Sequence, residues 1–259
     1  GFTSHSMKVI ARYVAATGRP AITYDQIGCG DSTHLQDKPK DFWSLELFKK
    51  EFELLVDHLG ISNGFALLGH SWGGLLAAEI AITHPQGLKA LVLSSSLVDT
   101  DMWEVEARRL ALEMPPEFSE PLIRHEDAGT VDSEEYQVAI TEFYRRHLCR
   151  IPLPPEILKA VEESGKDGTV YGAMWGHSEL SCTGNLKHHV VSDRLNRISV
   201  PTRIFSGRHD ESTPASNKTL FDSIPNSEWE IFEESAHMTY MEEAAKYQRL
   251  LNAFLDQAL

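Results

Sequence analysis

Cysteine is scarce: Cys29, Cys149 and Cys182 are the only three in 259 residues. They are widely spaced, odd in number and form no CxxC or CxxH pair, which excludes a disulfide framework and a structural zinc site. A reducing compartment, the cytoplasm, is the expectation. Positive charge is the second shortage. Twenty-four Lys and Arg stand against 38 Asp and Glu, a formal charge of −14. That field repels a phosphate backbone or an anionic membrane surface, so neither nucleic acid nor membrane is an expected partner. Long apolar runs are missing too. A stretch such as Phe65-Ala66-Leu67-Leu68 is far too short to cross a bilayer, and no basic segment followed by an apolar one opens the chain. Cofactor signatures are equally thin. Gly28-Cys29-Gly30 lacks the third glycine of a dinucleotide fingerprint, and no phosphate-loop lysine motif occurs. His177, His188 and His189 do not have HExxH spacing, so no metal and no cofactor is expected. Cys29 reads as a small packed residue.

What remains is an ordinary globular composition, 42% hydrophobic and 24% charged, enough for one generous domain or a core with a large insertion. Pro20–Tyr24 reads as a first strand, ended by the glycines of Asp25-Gln26-Ile27-Gly28-Cys29-Gly30-Asp31-Ser32. Leu45, Phe48, Phe52, Leu55, Val56 and Leu59 recur at helical spacing before Gly60, predicting a helix over Ser44–Leu59. Phe65–Leu68 predicts a strand, Gly74–Thr83 an Ala-rich helix and Leu88–Ser94 a buried strand. Alternating strands and helices mean βαβ units and a mostly parallel sheet with flanking helices. From Leu97 to Val190 helical periodicity takes over, as in Met102–Met114 and Ser133–Leu148. This block is expected to be an inserted helical lid over residues 97–190, with residues 1–96 and 191–259 forming the core. The α/β pattern resumes with a strand over Val200–Gly207, a helix near Ala215–Ser223, a strand at Glu228–Phe232 and a last helix over Glu242–Gln257.

Gly69-His70-Ser71-Trp72-Gly73 is a G-x-S-x-G sequence between a predicted strand and a predicted helix. A serine hydroxyl is a poor nucleophile, and a sharp strand-to-helix turn pushes it clear of the sheet. The same turn aims the Trp72 backbone N–H at a developing oxyanion, and the helix N-terminus adds positive potential. An elbow serine needs a base, and the base needs an orienting carboxylate, in chain order Ser, Asp, His. Asp210 follows the strand ending at Gly207, and His237 follows the next strand. Active-site groups of open α/β sheets gather at such strand ends. The expected roles are Ser71 as nucleophile, His237 as proton carrier and Asp210 as the group that fixes the imidazole.

The run Asp25-Gln26-Ile27-Gly28-Cys29-Gly30-Asp31-Ser32, the elbow at Ser71, Asp210-Glu211 before Thr213-Pro214, and Glu179-Leu180-Ser181-Cys182-Thr183-Gly184 together resemble the proline iminopeptidase family of α/β-hydrolases. The similarity covers nearly the whole chain. It implies an α/β-hydrolase fold and a metal-free serine aminopeptidase or amidase, acting on small peptides or amino-acid amides with a free amine. In that family a lid glutamate and the acidic residue after the catalytic Asp bind the substrate ammonium, and the matching positions are Glu179 and Glu211. Charge-assisted hydrogen bonds from buried carboxylates suit that task. Without the resemblance both read as surface acids among the 38. Trp175 and Trp72 read equally as apolar walls for a pyrrolidine-sized side chain and as core residues.

Members of the family carry two or three strands and a His-Gly-Gly-Pro-Gly run, a source of the second oxyanion donor, before their first helix. This chain opens at Gly1-Phe2-Thr3-Ser4-His5, like the continuation of that run. The expectation is that those strands are missing from this chain or come as a separate segment, with the Gly1 region as the other place for an oxyanion donor. Two alternatives stand beside the peptidase reading: an esterase or lactonase for a small metabolite, and a non-catalytic binding protein on a hydrolase scaffold.

Overall fold

The computed structural model describes residues 3–259, apart from the side chain of Glu156. The chain starts with α1 (Ser4–Ala15) and an extended stretch, then forms α2 (Leu45–Leu59). The side chain of Ser44 accepts from the Leu47 N–H at its start, and Gly60 closes it in the left-handed conformation, φ 66°, as a C-terminal glycine does. Phe48, Phe52 and Val56 are its buried stripe. There follow β1 (Phe65–His70), α3 (Trp72–Ile82) and β2 (Leu88–Ser94). A helical block comes next: α4 (Thr100–Leu112), α5 (Pro116–Ala128), α6 (Glu134–His147), α7 (Pro155–Ser164) and α8 (Thr169–Met174). The chain then returns to β3 (Thr202–Gly207), α9 (Pro214–Ser223), β4 (Ser227–Phe232), the short α10 (Thr239–Glu242) and α11 (Ala244–Ala258).

Among the described residues the sheet has four strands in the order β1-β2-β3-β4, and every pair is parallel. Gly69 lies beside Leu93, Ser94 beside Phe205 and Gly207 beside Phe232. The loops that follow β1, β3 and β4 therefore leave the sheet at one rim. β2 shows the two-residue period of a strand covered on both faces. Leu91 and Leu93 pack with α2 and α3, whereas Ala90 and Val92 pack with α1 and α11.

Pro20–Tyr24 is the one expected strand that does not form. Its backbone is not assigned to the sheet, because no strand runs alongside it among the described residues and a strand exists only through its ladder. The loop that follows is built on Asp25. Its carboxylate accepts the Ser4 N–H at 2.7 Å and its carbonyl accepts the Ser32 hydroxyl at 2.6 Å.

The helical block enters and leaves through a narrow neck. Asp99, just before α4, accepts the backbone N–H of Val191 at 2.8 Å and of Ser192 at 3.0 Å, and also the Ser192 hydroxyl. Thr100 adds a backbone bond to the His189 carbonyl and a hydroxyl bond to the Leu186 carbonyl. Two of the three histidines weighed as metal ligands are paired elsewhere: His188 with Asp101, and His189 with Glu79. No helix among the described residues is long and apolar enough to cross a membrane.

Candidate active site

Ser71 sits between the end of β1 and the start of α3 with φ 56° and ψ −124°. Non-glycine residues rarely adopt positive φ, and such strain concentrates at functional turns. The turn is fixed on both sides: the Ser71 N–H donates to the Ser94 carbonyl, and the Ser71 carbonyl accepts the N–H groups of Gly74 and Leu97. Close approach explains its glycines unevenly. A Cβ on Gly69 would lie 2.0 Å from the Gly73 carbonyl oxygen, and one on Gly74 2.0 Å from Ser96 Oγ, whereas one on Gly73 would meet nothing within 4 Å. The second indispensable glycine is thus Gly74, one residue beyond the G-x-S-x-G run.

Asp210 and His237 come together. Asp210 is 1% exposed and His237 2%, and His237 Nδ1 lies 2.7 Å from Asp210 Oδ1. The same Oδ1 accepts the Ser212 N–H at 2.7 Å, and Oδ2 accepts the Gly207 N–H at 3.4 Å. Both oxygens of the buried carboxylate are therefore committed. With Nδ1 held by Asp210, Nε2 is the nitrogen left for a hydroxyl. No hydrogen bond joins Ser71 Oγ to His237 among the described residues, and catalytic hydrogen bonds are commonly loose until substrate is bound.

His70, the unnamed x of the G-x-S-x-G run, ties the two centres. It precedes Ser71, its ring packs edge-on against that of His237 with centroids 4.6 Å apart, and its Nε2 lies 3.0 Å from the His237 carbonyl. Desolvation, then the neighbouring His237, lowers its pKa to about 3. A neutral imidazole can reach a carbonyl only through an N–H, so Nε2 is its protonated nitrogen.

Glu211 is 2% exposed, and its Oε2 is buried without a hydrogen-bond partner. Burial, followed by the charges of Glu179 and Asp210, pushes its carboxyl well above the usual range. Glu179 stands in the loop after α8, where Tyr171 donates its hydroxyl to Oε2 at 2.6 Å. The loop is heavily pinned. Trp103 Nε1 donates to the Glu179 carbonyl, Trp175 Nε1 to the Ser178 carbonyl, and the Cys182 N–H to Glu104. The Glu126 carboxylate accepts the hydroxyls of Tyr136, Ser178 and Ser181. Burial, followed by the Glu179 charge, also drives the Tyr144 and Tyr171 phenols well up, so both remain protonated.

The tryptophans separate. Trp175 is buried, with its ring edge-on to Trp103 at 5.9 Å, and Trp103 in turn lies 6.3 Å from the His237 ring. Trp103 thus stands between Trp175 and the imidazole, a position no local sequence pattern reveals. Trp72 directs its Nε1 to Gln26 Oε1 at 3.1 Å and its ring against Phe48. Its backbone N–H is at the first turn of α3, as an oxyanion donor requires. The Gly1 region lies outside the described residues. The arrangement offers a strained hydroxyl, an imidazole fixed by a buried carboxylate, and an acidic pair beside them.

Comparison with known proteins agrees with this fold. The family model for the alpha/beta hydrolase fold matches residues 2–244. A proline iminopeptidase of Clostridium botulinum is 38% identical over 258 residues, 98% of this chain and 86% of that protein. The crystal structure of proline iminopeptidase from Mycobacterium smegmatis superposes with a TM-score of 0.93 at 38% identity, covering 99% of this chain and 86% of that one. The crystal structure of VinJ gives 0.95 at 38% identity, with 100% and 88% covered. The chain belongs to the α/β-hydrolase fold family and, within it, to the serine hydrolases of the proline iminopeptidase family.

Proposed function

We propose that this protein is a serine aminopeptidase that releases a small N-terminal residue, proline or a similar one, from a short peptide or amino-acid amide through an acyl-serine intermediate. Ser71 attacks the carbonyl carbon while His237 takes its proton, and Asp210 stabilises the imidazolium that results. The Trp72 N–H meets the oxyanion. His237 returns the proton to the leaving amine, and water then resolves the acyl-serine by the same relay. Glu179 and Glu211 receive the substrate ammonium. Residues 97–190 act as the lid over the core of residues 1–96 and 191–259, and the cytoplasm is where the enzyme works. The relatives named proline iminopeptidase support the choice of a prolyl residue.

The observation that carries the reading is Glu211, an acid buried with one unpartnered oxygen directly beside the Asp210–His237 pair. Burying a carboxyl group without a partner is costly unless a ligand supplies one. An ester or lactone brings no cation to meet it. A binding protein, for its part, has no use for the Asp210–His237 pair.

The test compares a free prolyl anilide with its N-acetyl derivative. Acetylation should abolish turnover, and Ser71→Ala should abolish both turnover and labelling by a fluorophosphonate. Equal rates on the two anilides would remove the ammonium reading.

A further inference from the structure

The two acids expected to meet the ammonium are built differently, and their difference, taken with the aminopeptidase reading on which it rests, says where a proton sits. Glu179 is partly exposed and accepts the Tyr171 hydroxyl at 2.6 Å. Glu211 is buried, its Oε2 has no partner, and its own N–H is spent on the His147 carbonyl. The groups facing Glu211 are acids and phenols. Asp210 adjoins it on the same loop, and Glu179, Tyr144 of α6 and Tyr171 of α8 are near enough to interact with it electrostatically. The imidazoles on this side are already engaged, that of His237 with Asp210 and that of His147 with the His209 carbonyl. Burial holds His147 below the usual histidine range, so it brings no charge. A buried carboxylate among acids is far costlier than the neutral acid. A donated hydroxyl, in contrast, favours the ionised form of the group that accepts it.

We propose that the empty Glu179–Glu211 pair carries one negative charge, with the proton on Glu211, and that Tyr171 is the positioning residue that aims the Glu179 carboxylate at the incoming ammonium. When an ammonium enters, the O–H bond of Glu211 breaks and the proton passes to water. The cation is then held between two carboxylates, and no bond of the substrate is made or broken in this step. Burial and the adjoining charges on Glu179 and Asp210 act on Glu211 in the same direction.

Isothermal titration calorimetry of the whole protein with prolinol, an amine without a scissile bond, tests this in two buffers of different ionisation enthalpy at pH 7. The expected result is release of about one proton per amine bound, with affinity rising about tenfold per pH unit for as long as Glu211 starts protonated. Glu211→Gln mimics the neutral acid, so it should melt no lower than the parent, release no proton and bind with a pH-independent affinity. Tyr171→Phe should raise KM for prolyl anilide about tenfold with little change in kcat, the size of one lost charge-assisted hydrogen bond. Binding of prolinol but not N-acetylprolinol with no proton released would overturn the proton assignment and leave the aminopeptidase reading intact. An unchanged KM, or a loss that falls on kcat instead, in Tyr171→Phe would overturn the role of Tyr171. Equal binding of prolinol and N-acetylprolinol would instead refute the ammonium site itself.

Discussion

Replacing Asp210 by Asn isolates what charge contributes to the relay. The carboxylate makes two short bonds through Oδ1, to His237 Nδ1 and the Ser212 N–H, both at 2.7 Å, and one long bond of 3.4 Å through Oδ2 to the Gly207 N–H. An asparagine that keeps its oxygen at the Oδ1 position retains both short bonds and gives up only the long one. The imidazole therefore stays in place with its proton on Nδ1, and what disappears is the negative charge opposite the imidazolium of the transition state. At about 4 Å and an effective dielectric constant of about 20, that attraction is ~4 kcal/mol. Because the charge on the ring develops only in the transition state, the loss falls on kcat, by roughly a thousandfold. Stability should hold, since both short bonds remain. Steady-state hydrolysis of prolyl anilide gives kcat, and a thermal melt of the same preparation reports the fold. A folded Asp210→Asn protein that turns over within about tenfold of the parent would refute the electrostatic role assigned to this group.

Two further perturbations follow from packing and from linkage. Gly74→Ala places a methyl group 2.0 Å from Ser96 Oγ, whereas Gly73→Ala meets nothing within 4 Å. The first should cost about 1–3 kcal/mol, or roughly 2–4 °C of melting temperature per kcal/mol at this chain length, and the second should leave the melt unchanged. Equal melts for the two would contradict the close approach. Glu79 is buried, which alone would raise its pKa, but His189 and Arg194 outweigh burial and lower it. A depressed folded-state pKa gives stability that is fully present above the unfolded value and is lost as pH falls through the folded one. The melting gap between the parent and Glu79→Gln should thus be widest near neutrality and close below about pH 4. A gap that persists undiminished at pH 3 would show that ionisation of Glu79 is not its source.

The elements that the sequence made legible are those whose signal is local. Ser44 and Gly60 bracket α2 because capping is written in adjacent residues, and β2 was readable from an apolar run that both faces of the sheet bury. Asp210 and His237 were found because each follows its own strand, and strand order dictates which loops share a rim. Pro20–Tyr24 has strand-like residues, yet strand status depends on a neighbour that residue pattern does not reveal. α1 was missed because its buried stripe, Ser6, Val9 and Ile10, is short and mixed. Tyr171, Trp103 and Glu126 act on the Glu179 loop from other elements, so no spacing rule connects them to it. His70 was hidden in plain view as the unnamed x of the elbow, since its bond to the His237 carbonyl spans the whole insertion.

The Asp99 clasp has a consequence for how such a protein diversifies. Entry and exit of the helices α4–α8 are held together by the Asp99 carboxylate, through bonds to Val191 and Ser192, and by the two bonds of Thr100. Chain-closure entropy grows only slowly with the length of a loop so anchored. α6 is tied to the strand rim, where the His147 carbonyl accepts the Glu211 N–H and its ring bonds the His209 carbonyl, but helical segments away from that contact can be lengthened, shortened or re-angled beyond the collar. The outer helices and the strand rim are then free to change on separate schedules within one polypeptide.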